Sequence, residues 1–160
     1  MFPNIDVNDR VLVVKDNLFE YKYTVGDIVV FHAPESEIPN SQDLLVENLK
    51  IWNLITENEG DINDFVFIKR IVGTPGDNVF IDSNGKIFVN NNELIIQNVE
   101  ISSNSENLNI NLMKDEYFLV GDNRNNSFDS RLFGPISIER IIGKAYFKIY
   151  PFNEFTNFND

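Results

Sequence analysis

Short runs rich in β-branched residues, separated by turn-forming residues, most constrain how this chain can fold. These runs occupy residues 10–15, 27–31, 65–72, 78–82, 86–89, 93–97, 116–120 and 141–149. Runs of this length are typical of strands, and they follow one another too closely for the helical crossovers that join parallel strands. The sequence therefore predicts a mainly β, antiparallel fold. The length of 160 residues predicts a single domain over residues 1–160.

Two regions within this domain have patterns of their own. Residues 78–97 are predicted to form a β-hairpin region, because Asn84-Gly85 favours a tight turn between two of the runs. Residues 34–64 are predicted to form a helical insertion, because apolar side chains recur there at helical spacing over residues 41–57. A shorter helix is predicted at residues 137–140. The polar, asparagine-rich stretch 102–111 is predicted to be a loop.

The composition excludes several classes of function. The chain has no cysteine and one histidine, His32, so it has no thiol nucleophile and no multi-histidine metal site. A net charge of −12 argues against a nucleic-acid partner and against electrostatic adhesion to anionic lipid. No apolar run is long enough to span a bilayer and no leader is visible, so the chain as given is expected to be soluble. We expect neither a metal nor another cofactor.

Lys69 is the first candidate for chemistry, because it lies within an apolar run. Alternation along residues 65–72 places it on the same face as Phe65, Phe67 and Ile71. An ammonium group on such a face is poorly solvated, which lowers its pKa and can provide a neutral amine as a base. The alternative is that the side chain extends from a sheet edge into water.

The second candidate is GDNRNNSFDSR, at residues 121–131, which directly follows an apolar run. Its composition predicts a loop. One interpretation is a self-bonded turn in which Asp129 and Arg131 form a local ion pair. The other is a loop that orients catalytic side chains, with the hydroxyls of Ser127 and Ser130 available to hold a neutral lysine amine.

Together these segments resemble the type I signal peptidase family. The match includes GDNRNNSFDSR and FIKRIVGTPGD at residues 67–77, and it extends to Met1-Phe2-Pro3, to GDIVVF at 26–31 and to IGKA at 142–145. The order of the segments is also that of the family. The resemblance implies a signal-peptidase-like antiparallel β fold. It also implies a serine endopeptidase that removes signal peptides from exported proteins by Ser–Lys chemistry.

The resemblance assigns roles to matching residues. Lys69 would be the general base, and Ser127 would hydrogen-bond its amine. Arg70 would pair with Asp122, and Asp129 would pair with Arg131. Ser130, between Asp129 and Arg131, would also support the site. The substrate and oxyanion region would include Met1, Phe2 and Pro3.

The family's nucleophilic serine directly precedes the residue that matches Met1, so the chain as given is expected to be inactive. Three explanations are open. The serine lies upstream of Met1 in a longer protein, the protein is a non-catalytic homologue that lacks the serine, or another residue serves as the nucleophile. Asn4 also stands where the family commonly has threonine. The full-length protein is expected to be membrane-anchored, with this domain on the periplasmic, external or thylakoid-lumenal side.

The expected partners are the signal peptides of preproteins and the lipid bilayer surface. Exposed phenylalanines would provide the lipid contact, at Phe2, Phe152, Phe155 and Phe158. Two alternatives stay open at this point. One is a non-catalytic module that keeps the peptide-binding groove, and the other is a self-cleaving regulator similar to the SOS repressors, which share Ser–Lys chemistry.

Overall fold

Two antiparallel sheets form the part of the protein that a computed structural model describes, namely residues 1–6, 8–15, 22–34, 66–97, 99 and 107–158. The strands of the larger sheet are β1 (Arg10–Lys15), β2 (Ile28–His32), β3 (Val66–Gly73), β8 (Glu116–Val120), β9 (Ile136–Ser137), β10 (Ile141–Tyr150) and β11 (Thr156–Asn157). The smaller sheet contains β4 (Asn78–Ile81), β5 (Ile87–Val89), β6 (Asn92–Glu93) and β7 (Leu108–Asn111). The predicted mainly β, antiparallel fold is confirmed.

The strand order of the larger sheet brings distant segments together. That order is β1-β10-β2-β3-β8-β9, with β11 paired to β10. β3 therefore lies between β2 and β8, with Lys69 opposite Val29 and Arg70 opposite Val120. The smaller sheet follows the order β6-β5-β4-β7. Every described pairing in both sheets is antiparallel.

Apolar side chains cover both faces of the larger sheet. Adjacent residues of β2 face opposite sides, so Val29 packs with Phe31 and Ile71 in one cluster. Ile28 packs with Ile5 and Ala145 in another. A third cluster joins the two sheets and includes Val72, Val79, Ile81, Ile87, Leu112, Phe118 and Val120. Residues of β3 contribute to two of these clusters, which fixes the strand that carries Lys69.

The loop predicted at residues 102–111 is wrong at its end, where β7 forms. The sequence Leu-Asn-Ile-Asn alternates, so Leu108 and Ile110 pack toward the third cluster while the asparagines face outward. The amide of Asn78 donates to Asn109 Oδ1 and Asn111 Oδ1, each at 2.8 Å. Asparagine is disfavoured in strands, and these bonds between neighbouring strands offset that preference.

Other predicted elements differ in extent. The strand predicted at 93–97 is only Asn92–Glu93, and it follows a turn in which Asn90 and Asn91 have positive φ angles of 51° and 68°. The helix predicted at 137–140 is a 3₁₀ turn, Ile138–Arg140.

The sequence patterns also did not indicate the two-residue strands β9 and β11, nor two short helical elements. These are α1 (Ser130–Phe133) and the 3₁₀ turn Phe152–Glu154. The predicted helical insertion at 34–64 lies outside the described residues, apart from Pro34. None of the helices within the described ranges is long and apolar enough to cross a membrane.

Candidate active site

Lys69 projects from β3 beside an aromatic ring. Its Nζ lies 5.4 Å from the ring centroid of Phe67, and Phe67 in turn packs against the cluster that contains Ile71. Burial lowers the pKa of Lys69 more than the nearby Asp129 carboxylate raises it, and the charge of Arg131 lowers it further. The amine therefore loses its proton more readily than an ordinary lysine does.

Ser127 and Gly121 lie directly beside the Lys69 side chain. A Cβ added to Gly121 would collide with Ser127 Oγ and would lie 3.5 Å from Lys69 Cδ. Ser127 Oγ is buried, and it interacts with the Asp129 carboxylate, where it helps to lower the pKa of that group. The absence of a side chain at Gly121 thus leaves room for Ser127 Oγ, with the Lys69 side chain at the edge of the same space.

Arg70 and Asp122 form an ion pair next to this space. Arg70 Nε donates to Asp122 Oδ1 at 2.9 Å, and Nη2 donates to Oδ2 at 2.8 Å. Arg70 Nη1 also donates to the carbonyl of Gly26 at 2.8 Å, which ties the start of β2 to the pair. Asn4 Nδ2 donates to Asp122 Oδ2 at 2.7 Å. Asp122 is only 1% exposed, so these donors compensate a carboxylate that water cannot solvate.

A second ion pair fixes the shape of the loop at residues 121–131. Arg131 Nε and Nη2 donate to the two carboxylate oxygens of Asp129, each at 2.9 Å. The backbone N–H of Gly121 also donates to Asp129 Oδ2 at 2.9 Å. Burial raises the pKa of Asp129, but the hydrogen bonds from Arg131 and Gly121 lower it by more. Asp129 is therefore a carboxylate that holds the two ends of the loop together.

The remaining predicted residues lie at the edges of the site. Ser130 Oγ accepts a hydrogen bond from the Leu119 N–H at 3.0 Å, so it anchors α1 to β8. Phe2 and Pro3 are exposed. Phe158, which was expected to be exposed, is half-buried against the cluster that contains Ile5, because β11 holds the chain end to β10.

The amino group of Met1 reaches the site from the other side. Burial lowers its pKa, the charge of Lys69 lowers it further, and Asp122 raises it. These electrostatic effects require Met1 to lie near both side chains. The fold thus brings together Met1, Lys69 and the loop that carries Asp122 and Ser127, three parts of the chain that lie far apart in the sequence.

Asn4 and Gly121 are site residues that the sequence reasoning did not identify as such. Asn4 stands where the family commonly has threonine, and Gly121 is typical of a turn in its local sequence. The bond from Asn4 joins residues 118 positions apart, which no local pattern could indicate. Within the described ranges, no cluster of three or more histidine, aspartate and glutamate residues could hold a metal ion.

Comparison with known proteins gives consistent relatives. A family model described as "Signal peptidase, peptidase S26" matches residues 1–150. The chain is 38% identical over 154 residues to thylakoidal processing peptidase 1, chloroplastic, of Arabidopsis thaliana, covering 94% of this chain and 39% of that protein. It is 29% identical over 153 residues to signal peptidase I of Leptolyngbya laminosa, covering 96% and 66%. The chain thus spans about two-fifths of the thylakoidal relative.

A crystal structure of a signal peptidase I from Enterococcus faecalis has a similar fold. The two share a TM-score of 0.52 at 21% sequence identity, over 78% of this chain and 97% of the other. At this identity the likeness concerns the fold alone.

Proposed function

The chain belongs to the signal peptidase S26 family, and we propose that it is the peptidase domain of a serine endopeptidase that removes signal peptides from exported proteins. One observation carries the proposal. A lysine whose pKa is lowered by burial lies next to Gly121 and near the buried Ser127 hydroxyl, beside the amino group of Met1. A neutral amine in this position is suited to take a proton from a serine hydroxyl.

In this proposal Lys69 is the general base and Ser127 orients its amine. The attacking hydroxyl belongs to a serine bonded to the Met1 nitrogen. The position of that nitrogen near Lys69 supports this assignment, because the preceding residue would then lie beside the base. Lys69 takes the hydroxyl proton as the serine oxygen bonds to the scissile carbonyl carbon. It then gives that proton to the departing amine when the peptide bond breaks.

The resulting acyl-enzyme is hydrolysed by the same base. Lys69 removes a proton from water, the water oxygen attacks the ester carbonyl, and the proton returns to the serine oxygen as the ester bond breaks. Two ion pairs support these steps. Arg70–Asp122 and Arg131–Asp129 hold β3 and the loop at residues 121–131 in fixed positions around Lys69.

The substrate would bind as an extended strand along a sheet edge, next to Met1, Phe2 and Pro3. Small side chains ahead of the cleavage site, as in signal peptides, would fit shallow apolar pockets there. In the full-length, membrane-anchored protein the domain would act on the extracytoplasmic side. Phe2, Phe152 and Phe155 are 57%, 84% and 62% exposed, and they would contact the bilayer surface through apolar burial.

Cleavage of a signal-peptide substrate by a protein that carries serine directly before Met1 tests the proposal. We expect turnover that Lys69→Ala abolishes. Lys86→Ala is the matched control, because Lys86 pairs with Glu93 in the smaller sheet. Cleavage that persists in Lys69→Ala would remove the Ser–Lys assignment, whereas peptide binding without any cleavage would favour a non-catalytic module.

A further inference from the structure

Lys148 connects the two ends of the described chain. It lies in β10 and is only 7% exposed. Its Nζ lies 3.4 Å from Asp9 Oδ2 and 3.1 Å from Glu154 Oε2. The Asp9 side chain is 6% exposed and that of Glu154 is 55% exposed. The ammonium group of Lys148 thus binds the buried carboxylate of Asp9, near the N-terminus, and the partly exposed carboxylate of Glu154, near the C-terminus.

The carboxylate of Asp9 also closes the turn that carries the N-terminal residues. Asp9 Oδ2, the oxygen nearest Lys148, accepts a hydrogen bond from the Asp6 N–H at 2.8 Å. The Asp9 N–H donates back to the Asp6 carbonyl at 3.3 Å. The charge of Lys148 is therefore directed at the atom that fixes the backbone of Asp6.

This turn determines where Met1 lies. The Ile5 N–H donates to the Met1 carbonyl at 3.1 Å, and the Ile5 side chain is buried with Ile28 and Ala145. Asn4, one residue earlier, donates to Asp122 in the site. A displacement of Asp6 would act on these contacts, because Asp6 directly follows Ile5 and joins this turn to the one that Asp9 closes.

Glu154 is held by the C-terminal 3₁₀ turn. Its N–H donates to the Pro151 carbonyl at 2.9 Å, and its carbonyl accepts from Thr156 Oγ1 at 3.0 Å. Further along, the Phe158 N–H donates to the Tyr146 carbonyl at 2.9 Å, so the tail is fastened to β10. Glu154 is therefore a fixed second anchor for Lys148, in addition to Asp9.

We infer that Lys148 is a positioning residue for the reaction. Lys148 binds both Asp9 and Glu154. In this way it holds the N-terminal turn so that the residue bonded to the Met1 nitrogen faces Lys69. Its effect on catalysis rests on the proposed function, whereas its effect on the N-terminal turn does not. A purely stabilising role would instead change the unfolding temperature without changing the placement of residues 1–6.

Lys148→Met tests the inference, because methionine keeps the apolar stem and removes the charge. In the 160-residue chain, amide hydrogen exchange at Ile5 and Asp6 should become at least severalfold faster. In the protein that carries serine before Met1, kcat should fall about tenfold or more, since small misplacements of reacting groups are costly. The acid-side pH dependence of kcat should not move, because Asp129 and Arg131, the charges that most affect the pKa of Lys69, stay in place. Lys148→Arg should restore most of the protection from hydrogen exchange at Ile5 and Asp6, and most of kcat.

Lys86→Met is the control, since it removes an exposed ion pair, Lys86 Nζ to Glu93 Oε1 at 2.8 Å, far along the chain from residues 1–9. It should change neither exchange at Ile5 nor kcat. If Lys148→Met fails to fold, Glu154→Gln removes one anchor and should still speed exchange at Asp6. Unchanged exchange and kcat in the folded variant would overturn the inference. Faster exchange in a protein that never cleaves signal peptides would support the hold of Lys148 on the N-terminal turn and overturn the proposed function.

Discussion

Arg70 binds Asp122 through two parallel hydrogen bonds, from Nε to Oδ1 at 2.9 Å and from Nη2 to Oδ2 at 2.8 Å. The geometry is that of a planar guanidinium facing a carboxylate, the strongest form of ion pair in proteins. Because Arg70 follows Lys69 directly in β3, this pair fixes the strand at the position of the proposed base. Because Asp122 follows Gly121, it also fixes the start of the loop that carries Ser127.

Asp122→Asn should therefore destabilise the protein. The substitution keeps the side-chain shape but leaves the Arg70 charge without its counter-ion, and removing one partner of a buried pair typically costs about 3–5 kcal/mol. Urea unfolding should show a loss of about this size with an unchanged m value. Glu93→Gln, which breaks the exposed pair with Lys86, should leave the midpoint nearly unchanged. Equal effects of the two variants would contradict the structural role of Asp122.

The pH dependence of cleavage should report the burial of Lys69. Only the neutral amine acts as a base, so activity rises as the pH passes the pKa of Lys69, and burial places that rise below the pH expected for an ordinary lysine. Phe67→Asp puts a carboxylate beside the amine, stabilises its charged form and raises its pKa. The acid-side rise in kcat should therefore move to higher pH.

Phe80→Asp is a suitable comparison for that experiment, because Phe80 pairs with Phe88 in the smaller sheet. Thermal unfolding at each pH establishes that both variants remain folded during the assay. A profile that stays in place in Phe67→Asp would show that desolvation beside Phe67 does not set the pKa of the base.

Gly121→Ala should displace Ser127. The added Cβ would clash with Ser127 Oγ and would lie 2.7 Å from Ser127 Cβ, so the loop must shift. Activity should fall about a hundredfold, as expected when a catalytic side chain moves by an ångström, and the unfolding temperature should fall as well.

Adding Ser127→Gly to Gly121→Ala removes both clashing atoms. The double variant should recover stability but not activity, because the space is restored while the orienting hydroxyl is lost. Recovery of activity as well would show that Ser127 does not orient Lys69.

Much of the fold could be predicted because hydrophobic alternation and turn residues act locally. Residues 10–15 and 116–120 were predicted as strands and form β1 and β8 with the same bounds. The placement of Lys69 beside Phe67 was also predictable, since it follows from the two-residue period of a strand. β7 was not predicted because its asparagines suggested a loop. The hydrogen bonds that stabilise these asparagines in a strand come from Asn78 in another strand.

The sequence by itself determined which residues are candidates for the chemistry: a lysine within an apolar strand, and a loop rich in hydroxyls, carboxylates and guanidinium groups. The tertiary structure alone decided which of them meet. Asn4 reaches Asp122 across 118 positions, and Arg70 reaches it across 52. Lys148 joins Asp9 to Glu154 from β10. Such contacts depend on strand order and register, which arise from the packing of the whole core and leave no periodic signal in any short segment.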